Sequence, residues 1–197
     1  MIAKLALLAA TSHALAPNAV TSVIREKLAE VEEPAALNLA AKYEAVDLPS
    51  SRTTFVRTNA KSAAPALVLL HGFDSNCLEY RRLHPLLGEA GLPAYAVDIL
   101  GWGWSRGEEG GARGPREKRE FLRAFWEEHL GGRPVTLVGS SLGGAMAIDC
   151  ALEYPDMVQS LVLIDAQGFI DGLGPLSQLP GWVATLGVKV LGLGEFC

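Results

Sequence analysis

Short apolar runs alternate with helical patterns along the middle of this chain. Four runs bounded by Gly, Pro or Asp predict buried strands, at Ala66–Leu70, Ala94–Val97, Val135–Val138 and Leu161–Ile164. Helical periodicity between them predicts three helices, over Leu78–Ala90, Arg116–Leu130 and Leu142–Leu152. Two more strands are predicted ahead of these, at Tyr43–Leu48 and Thr53–Thr58. The order β-β-β-α-β-α-β-α-β predicts an α/β fold whose mostly parallel sheet is flanked by helices.

The pattern also divides the chain into three parts. Residues 1–40 are expected to be a leader followed by a linker or by a loose helix over Val20–Glu33 that Pro34 ends. Residues 41–165 are expected to form the α/β core. Residues 166–197 carry almost no charge and are rich in Gly, Pro and Leu, which predicts the start of a cap or a truncated tail.

The first residues outline a targeting leader. A basic start precedes the apolar run Leu5–Ala10, which is typical of a secretory leader, although the run is short. The stretch SHALAP at 12–17 also resembles the plastid leaders of algae with red-lineage plastids, with Leu15 in place of the usual Phe. A plastid location is therefore predicted, with secretion or a cytoplasmic location as alternatives. No apolar run reaches the length of about 18 residues that a transmembrane helix needs.

Composition excludes several classes of function. The 197 residues suit one domain, and 49% of them are hydrophobic. A formal charge of −5 argues against a nucleic-acid-binding protein, which would carry a basic patch. The three cysteines, Cys77, Cys150 and Cys197, are too few and too widely spaced to indicate a disulfide framework or a zinc site. No metal and no cofactor is indicated, and the oligomeric state is left open.

The stretch GSSLGG at 139–144 carries the candidate chemistry. It follows a predicted strand and opens a predicted helix, and Ser141 has glycines two residues before and two residues after it, Gly139 and Gly143. Such a turn exposes the serine hydroxyl above the sheet edge and aims the helix N-terminus at it. Ser140 is the rival nucleophile but lacks this glycine spacing. A phosphate-binding loop is disfavoured because no Lys stands near the turn.

Four stretches together resemble the α/β-hydrolase superfamily: HGFDSN at 71–76, AYAVDILGWGWS at 94–105, VTLVGSSLGG at 135–144 and LVLIDA at 161–166. The resemblance covers roughly residues 43–169 and is greatest to single-domain hydrolases of plants, algae and cyanobacteria. It implies that Ser141 is a nucleophile and that the backbone N–H groups of Phe73 and Leu142 form an oxyanion hole. His71 is expected to brace the loop by hydrogen bonding. The segment from Asp98 to Ser105 is expected to be structural, and Trp102 and Trp104 either line a pocket or simply pack.

The family order also raises a difficulty, because its triad histidine follows the serine and the acid. The four histidines here, His13, His71, His84 and His129, all precede Ser141. Six strands are predicted where the family has eight. A C-terminally truncated hydrolase that lacks strands 7 and 8 is therefore expected, and a genuine short, non-catalytic form is the alternative.

Asp165 is the candidate acid. Asp165 in LVLIDA matches the position, at the end of strand 6, that a minority of the family uses for its acid. The other reading is an Asp that ends a strand and caps a loop.

Two functions are carried forward. The first is a serine hydrolase that cleaves an ester or related acyl bond of a small-molecule substrate through an acyl-enzyme on Ser141. Carbon–carbon bond hydrolases and cofactor-free haloperoxidases share the same triad and are not separated from it. Dehalogenases and epoxide hydrolases are disfavoured because they need an Asp nucleophile. The second is a non-catalytic binding protein or an inactive fragment, which the missing histidine favours.

Overall fold

The computed structural model describes residues 28–49, 51–105 and 114–167. Four α-helices, one 3₁₀ helix and six strands follow each other in these ranges. In chain order they are α1 (Pro34–Ala40), β1 (Glu44–Leu48), β2 (Ser51–Thr58), β3 (Leu67–Leu70), the 3₁₀ helix (Cys77–Tyr80), α2 (Leu83–Glu89), β4 (Ala94–Val97), α3 (Pro115–His129), β5 (Val135–Ser140), α4 (Leu142–Glu153) and β6 (Val158–Ile164).

The six strands form one mixed sheet in the order β1-β2-β4-β3-β5-β6. β1 and β2 pair antiparallel, as do β2 and β4, whereas β4, β3, β5 and β6 run parallel to one another. The predicted α/β class with a mostly parallel sheet is confirmed. Because parallel strands share one carboxyl edge, the loops after β3, β4, β5 and β6 meet there.

Side chains from both faces of the sheet are buried under helices. α3 and α4 cover one face, where Phe55, Phe125 and Met146 belong to one apolar cluster. α1, α2 and the 3₁₀ helix cover the other face, where Leu39 and Leu69 belong to a second cluster. Every residue of β4 is buried, which explains why its sequence AYAV reads as a continuous apolar run rather than an alternating one.

β6 differs from the other parallel strands because it forms the edge of the described sheet. Its last four side chains are 37–47% exposed, at Leu161, Val162, Leu163 and Ile164. Successive side chains of a strand point to opposite faces, so both faces of β6 are open within the part of the chain that the structure describes. No described strand pairs with its outer edge.

Two helix predictions were wrong. The helix predicted over Leu78–Ala90 is divided into the 3₁₀ helix and α2, and Pro85 explains the division, since proline fits only the first turn of a helix. In the helix predicted over Val20–Glu33, residues 31–33 are not helical. Pro34 does not end a helix there but begins α1, whose buried residues Leu39 and Ala40 join the core.

Several predicted features lie outside the described residues. These are the leader over residues 1–17, the start of the loose helix and nearly all of the stretch 166–197. None of the described helices is both long enough and apolar enough to span a membrane.

Candidate active site

Ser141 stands at a sharp turn between β5 and α4. Its backbone has φ 47° and ψ −111°, a conformation that L-residues with a side chain rarely adopt. Such strain persists only where the surrounding structure fixes it, and it concentrates at functional turns. The side chain is half-buried, and its hydroxyl makes no hydrogen bond to another described residue. The predicted strand–turn–helix context of the stretch 139–144 is therefore observed, and this turn is called the nucleophile elbow.

The glycines around Ser141 are required by close backbone contacts. A Cβ on Gly139 would lie 2.4 Å from the carbonyl oxygen of Gly143, and a Cβ on Gly143 would lie 2.0 Å from that of Leu70. Both distances are too short for any side chain. Gly144 has the same role, since its Cβ would lie 2.5 Å from the Cβ of Ala166.

The N-terminus of α4 presents backbone donors beside Ser141. The N–H groups of Gly144 and Ala145 donate to the carbonyl oxygen of Ser141 at 3.0 and 3.2 Å. The N–H of Leu142, the first residue of the helix, has no acceptor among the described residues. A free N–H at a helix N-terminus carries partial positive charge and can receive an anion or a carbonyl oxygen.

The loop after β3 lies against the elbow. A Cβ on Gly72 would be 3.6 Å from the Cβ of Ser141 and 3.8 Å from the carbonyl oxygen of Ser140. The N–H of Phe73, the next residue, also has no acceptor among the described residues. The Phe73 ring is 69% exposed and packs on Trp102 with ring centroids 4.5 Å apart. Two unpaired backbone donors are thus found on the two loops that meet at Ser141.

His71 braces this loop from a fully buried position. Its Nε2 accepts the N–H of Ile99 at 3.0 Å, so the proton is on Nδ1, which donates to the carbonyl oxygen of Gly72 at 2.8 Å. Burial lowers the pKa of His71, which keeps the ring neutral. The peptide between Gly72 and Phe73 is trans, so its N–H points away from its carbonyl group. By holding that carbonyl group, His71 fixes the direction of the Phe73 N–H.

The other described histidines do not reach Ser141. His84 is buried in α2 near the backbone of Ala94, which begins β4 at the opposite edge of the sheet from Ser141. His129 ends α3 and stacks on Phe125 with ring centroids 5.1 Å apart. Burial lowers the pKa of both. His13 lies outside the described residues.

Asp165 follows β6 directly and lies beside the elbow. Its neighbour Ile164 accepts the N–H of Ser141 at 3.0 Å, and Gln167 donates its N–H to the carbonyl oxygen of Ser141 at 2.9 Å. Asp165 itself has φ 47° and an exposed side chain. The fold therefore brings Asp165 to the same edge as Ser141.

A buried carboxylate anchors the loops around the site. Asp98 directly follows β4 and accepts the N–H of Cys77 at 2.6 Å, the N–H of Trp104 at 2.9 Å and the hydroxyl of Thr54. A Cβ on Gly103 would lie 2.5 Å from this carboxyl group, so only glycine fits there. The expectation that this segment is structural agrees with these contacts.

A pocket of about 410 Å³ lies between the loops after β3 and β4. Apolar and aromatic side chains line part of it, and polar side chains line the rest; they include Leu28, Val31, Asp74, Asn76, Trp102 and Trp104. Both tryptophans line this pocket and also pack against the apolar clusters, so both interpretations made for them hold. Trp102, which lines the pocket, also contacts Phe73, so the pocket adjoins the loop after β3.

Sequence reasoning missed three residues that shape this edge. One is Gly144, the last glycine of GSSLGG; the motif signalled this residue, but no role was assigned to it. Glu79 accepts the N–H of Gly72 at 2.8 Å, and the Tyr80 hydroxyl donates to the carbonyl oxygen of Leu70 at 2.8 Å. Neither had a signal in the sequence, because both were placed on a predicted continuous helix. Within the described ranges, no group of three or more His, Cys, Asp or Glu side chains is placed to hold a metal ion.

Comparison with known proteins identifies the family of this chain. The family model Hydrolase_4, described as "Serine aminopeptidase, S33", matches residues 61–191. The chain belongs to the α/β-hydrolase superfamily. As in other α/β-hydrolases, its strand order places the elbow at the carboxyl edge of a mostly parallel sheet.

Two curated relatives and one solved structure illustrate the range of similar α/β-hydrolases. The α/β-hydrolase domain-containing protein VTE7 of Arabidopsis thaliana is 37% identical over 84% of this chain and 53% of its own length. Esterase Rv0045c of Mycobacterium tuberculosis is 35% identical over 71% of this chain and 48% of its own length. A lipase candidate from Acinetobacter baumannii AYE superposes with a TM-score of 0.63 at 20% identity, over 78% of this chain and 54% of that one. The chain spans about half the length of the curated relatives it matches.

Proposed function

We propose that this α/β-hydrolase is a serine hydrolase that cleaves an ester or related acyl bond of a small molecule. Ser141 would attack the carbonyl carbon and form an acyl-enzyme, which water then hydrolyses. The observation that carries the proposal is the backbone of Ser141, held at φ 47° between β5 and α4 with its hydroxyl free of described partners.

An oxyanion hole at Phe73 and Leu142 is part of this proposal. Their N–H groups are without acceptors among the described residues, and they belong to the two loops that meet at Ser141. His71 orients the first donor, and the start of α4 orients the second. Donors fixed before the reaction stabilise the charge that develops on the carbonyl oxygen, typically by about 3 kcal/mol each.

The proposed mechanism also needs an acid and a base. Asp165 is the candidate acid because the bonds of Ile164 and Gln167 to Ser141 hold it at the same edge. No described histidine is placed to accept the proton of Ser141, since His71 is bonded at both ring nitrogens. For this chain we expect slow chemistry, on the order of 10³-fold above water, as when a triad member is removed.

A non-catalytic binding protein is the second candidate function. The engagement of both His71 nitrogens favours it, because Ser141 then has no described base. The pocket beside Phe73 and Trp102 would bind a small apolar or aromatic molecule without cleaving it. Under this alternative, Ser141→Ala would leave every ligand-dependent signal unchanged.

The experiment measures the rate at which the full chain hydrolyses p-nitrophenyl esters of increasing acyl length. Ser141→Ala and Ser140→Ala are the matched variants. Exogenous imidazole is added to supply a base. We expect imidazole to raise the rate of the wild type and of Ser140→Ala above that of Ser141→Ala. Equal rates for the wild type and Ser141→Ala, with and without imidazole, would contradict the proposal.

A plastid location belongs to the same proposal. It is supported by the stretch SHALAP at 12–17, and the similarity to a plant protein is compatible with it. Residues 1–40 fused to a fluorescent protein should accumulate in the plastid of an alga with a red-lineage plastid. Fluorescence in the cytosol or the medium would contradict this location.

A further inference from the structure

We propose that Glu79 is a positioning residue. Its carboxyl oxygen accepts a backbone N–H and so holds the loop after β3, which carries the Phe73 N–H of the proposed oxyanion hole. This inference rests on the proposed function of Ser141. Glu79 lies on the 3₁₀ helix Cys77–Tyr80, and its Oε2 accepts the backbone N–H of Gly72 at 2.8 Å. A Cβ on Gly72 would be 3.5 Å from that oxygen and 3.6 Å from the Cβ of Ser141, so the carboxyl group lies close behind the reacting edge.

The bond matters because Gly72 has no side chain to restrict its backbone. Two peptide planes meet at its Cα. His71 holds the second plane by donating to the Gly72 carbonyl oxygen, and Glu79 holds the first plane by accepting the Gly72 N–H. With both planes fixed, the N–H of Phe73 has one direction. Without Glu79, the loop is held on one side only and samples other directions.

The 3₁₀ helix that carries Glu79 is itself firmly anchored. The N–H of Cys77 donates to Asp98, and the N–H of Leu78 donates to the side chain of Asn76 at 2.9 Å. The Tyr80 hydroxyl donates to the carbonyl oxygen of Leu70 at the end of β3. Glu79 therefore transmits the position of a rigid turn to the loop after β3.

An acceptor oxygen is what this role requires, and a negative charge is not. The partner is a neutral N–H, and a carboxylate close to the reacting edge opposes the negative charge that develops on the substrate oxygen. A glutamine keeps an acceptor oxygen at the same reach, whereas a leucine of similar size does not. Both substitutions remove the charge and keep a side chain of similar size, but only Glu79→Gln keeps an acceptor oxygen. Comparing the two variants therefore distinguishes the effect of the acceptor from the effects of charge and packing.

The first measurement is amide hydrogen exchange at Gly72 in the full chain, with Cys77 as the internal reference. In Glu79→Leu we expect exchange at Gly72 to rise about tenfold or more, because the protecting bond is lost. In Glu79→Gln we expect it to stay within about threefold of the wild type. Glu89→Leu, on the exposed end of α2, is the matched control and should change neither site. Unchanged exchange at Gly72 in Glu79→Leu would overturn the proposal.

The second measurement is the Ser141-dependent rate of ester cleavage in imidazole. Glu79→Leu should lower kcat about tenfold with KM within about twofold, and Glu79→Gln should restore it, since oxyanion donors act in the transition state. A normal kcat in Glu79→Leu would overturn the role of Glu79 while leaving the proposed function intact. A wild type without any Ser141-dependent rate would instead overturn the proposed function, and the role of Glu79 in catalysis with it.

Discussion

The backbone N–H of Ser141 donates to the carbonyl oxygen of Ile164 at 3.0 Å. The N–H of Gln167 returns the contact by donating to the carbonyl oxygen of Ser141 at 2.9 Å. The end of β6 and the residues after it therefore hold both sides of the strained serine. Asp165 lies between these two bonds, which is why the fold brings it to the nucleophile although 24 positions of sequence separate them.

The contact of Gly143 with β3 predicts a large effect of a single methyl group. In Gly143→Ala the new Cβ would meet the carbonyl oxygen of Leu70 at 2.0 Å, so the backbones of α4 and β3 must move apart. We expect a loss of more than about 3 kcal/mol in the free energy of unfolding, at the upper end of overpacking effects. Urea unfolding of the full chain measures it.

Gly131→Ala is the matched control for that substitution. Gly131 has φ +64°, and a Cβ there would meet nothing within 4 Å. Only the backbone penalty remains, about 1–2 kcal/mol. If Gly143→Ala cost no more than Gly131→Ala, the close approach of α4 to β3 would be wrong.

We predict that an amide cannot replace the Asp98 carboxyl group, because three donors point at its two oxygens. In Asp98→Asn the side-chain NH₂ group would face an N–H or a hydroxyl that now donates to Oδ1 or Oδ2. We expect a loss of about 2 kcal/mol or more in the free energy of unfolding. Asp156→Asn, on an exposed side chain, should change it by less than about 0.5 kcal/mol. Equal effects of the two substitutions in thermal or urea unfolding would contradict this view of Asp98.

Two buried histidines and the half-buried His129 predict a stability that falls in mild acid. Burial lowers the pKa values of His71, His84 and His129 below 6.5, so the unfolded chain takes up protons that the native chain does not. The free energy of unfolding is therefore unaffected by the protonation of these histidines above pH 6.5 and decreases as the pH falls below it. Each histidine lowers it by at most about 1.4 kcal/mol per pH unit. Urea unfolding at pH 7.5 and pH 5.5 measures the difference. His129→Phe should make it smaller, and an identical stability at the two pH values would contradict the prediction.

The parallel core was predictable because its strands are buried on both faces and its glycines sit at fixed offsets. Short continuous apolar runs such as Ala94–Val97 are typical of central strands. The glycine spacing in the turn 139–144 is typical of a nucleophile elbow. The division of the predicted helix at 78–90 was also encoded, by Pro85, but competing helical periodicity concealed it.

The supports of the candidate site were less accessible to sequence reasoning. Glu79 and Gly72 are seven residues apart and meet only because a 3₁₀ helix folds back over the end of β3. Asp98 and Cys77 lie 21 residues apart and meet for the same reason. Contacts between loops depend on tertiary packing, which local propensity and periodicity do not record.

Covalent labelling of the full chain tests whether Ser141 is a nucleophile. The chain is incubated with a fluorophosphonate in imidazole buffer, and the modified peptide is identified by mass spectrometry. We expect one adduct, on Ser141, which is absent in Ser141→Ala and retained in Ser140→Ala. A folded chain that forms no adduct, or forms it on Ser140, would show that Ser141 is not the nucleophile.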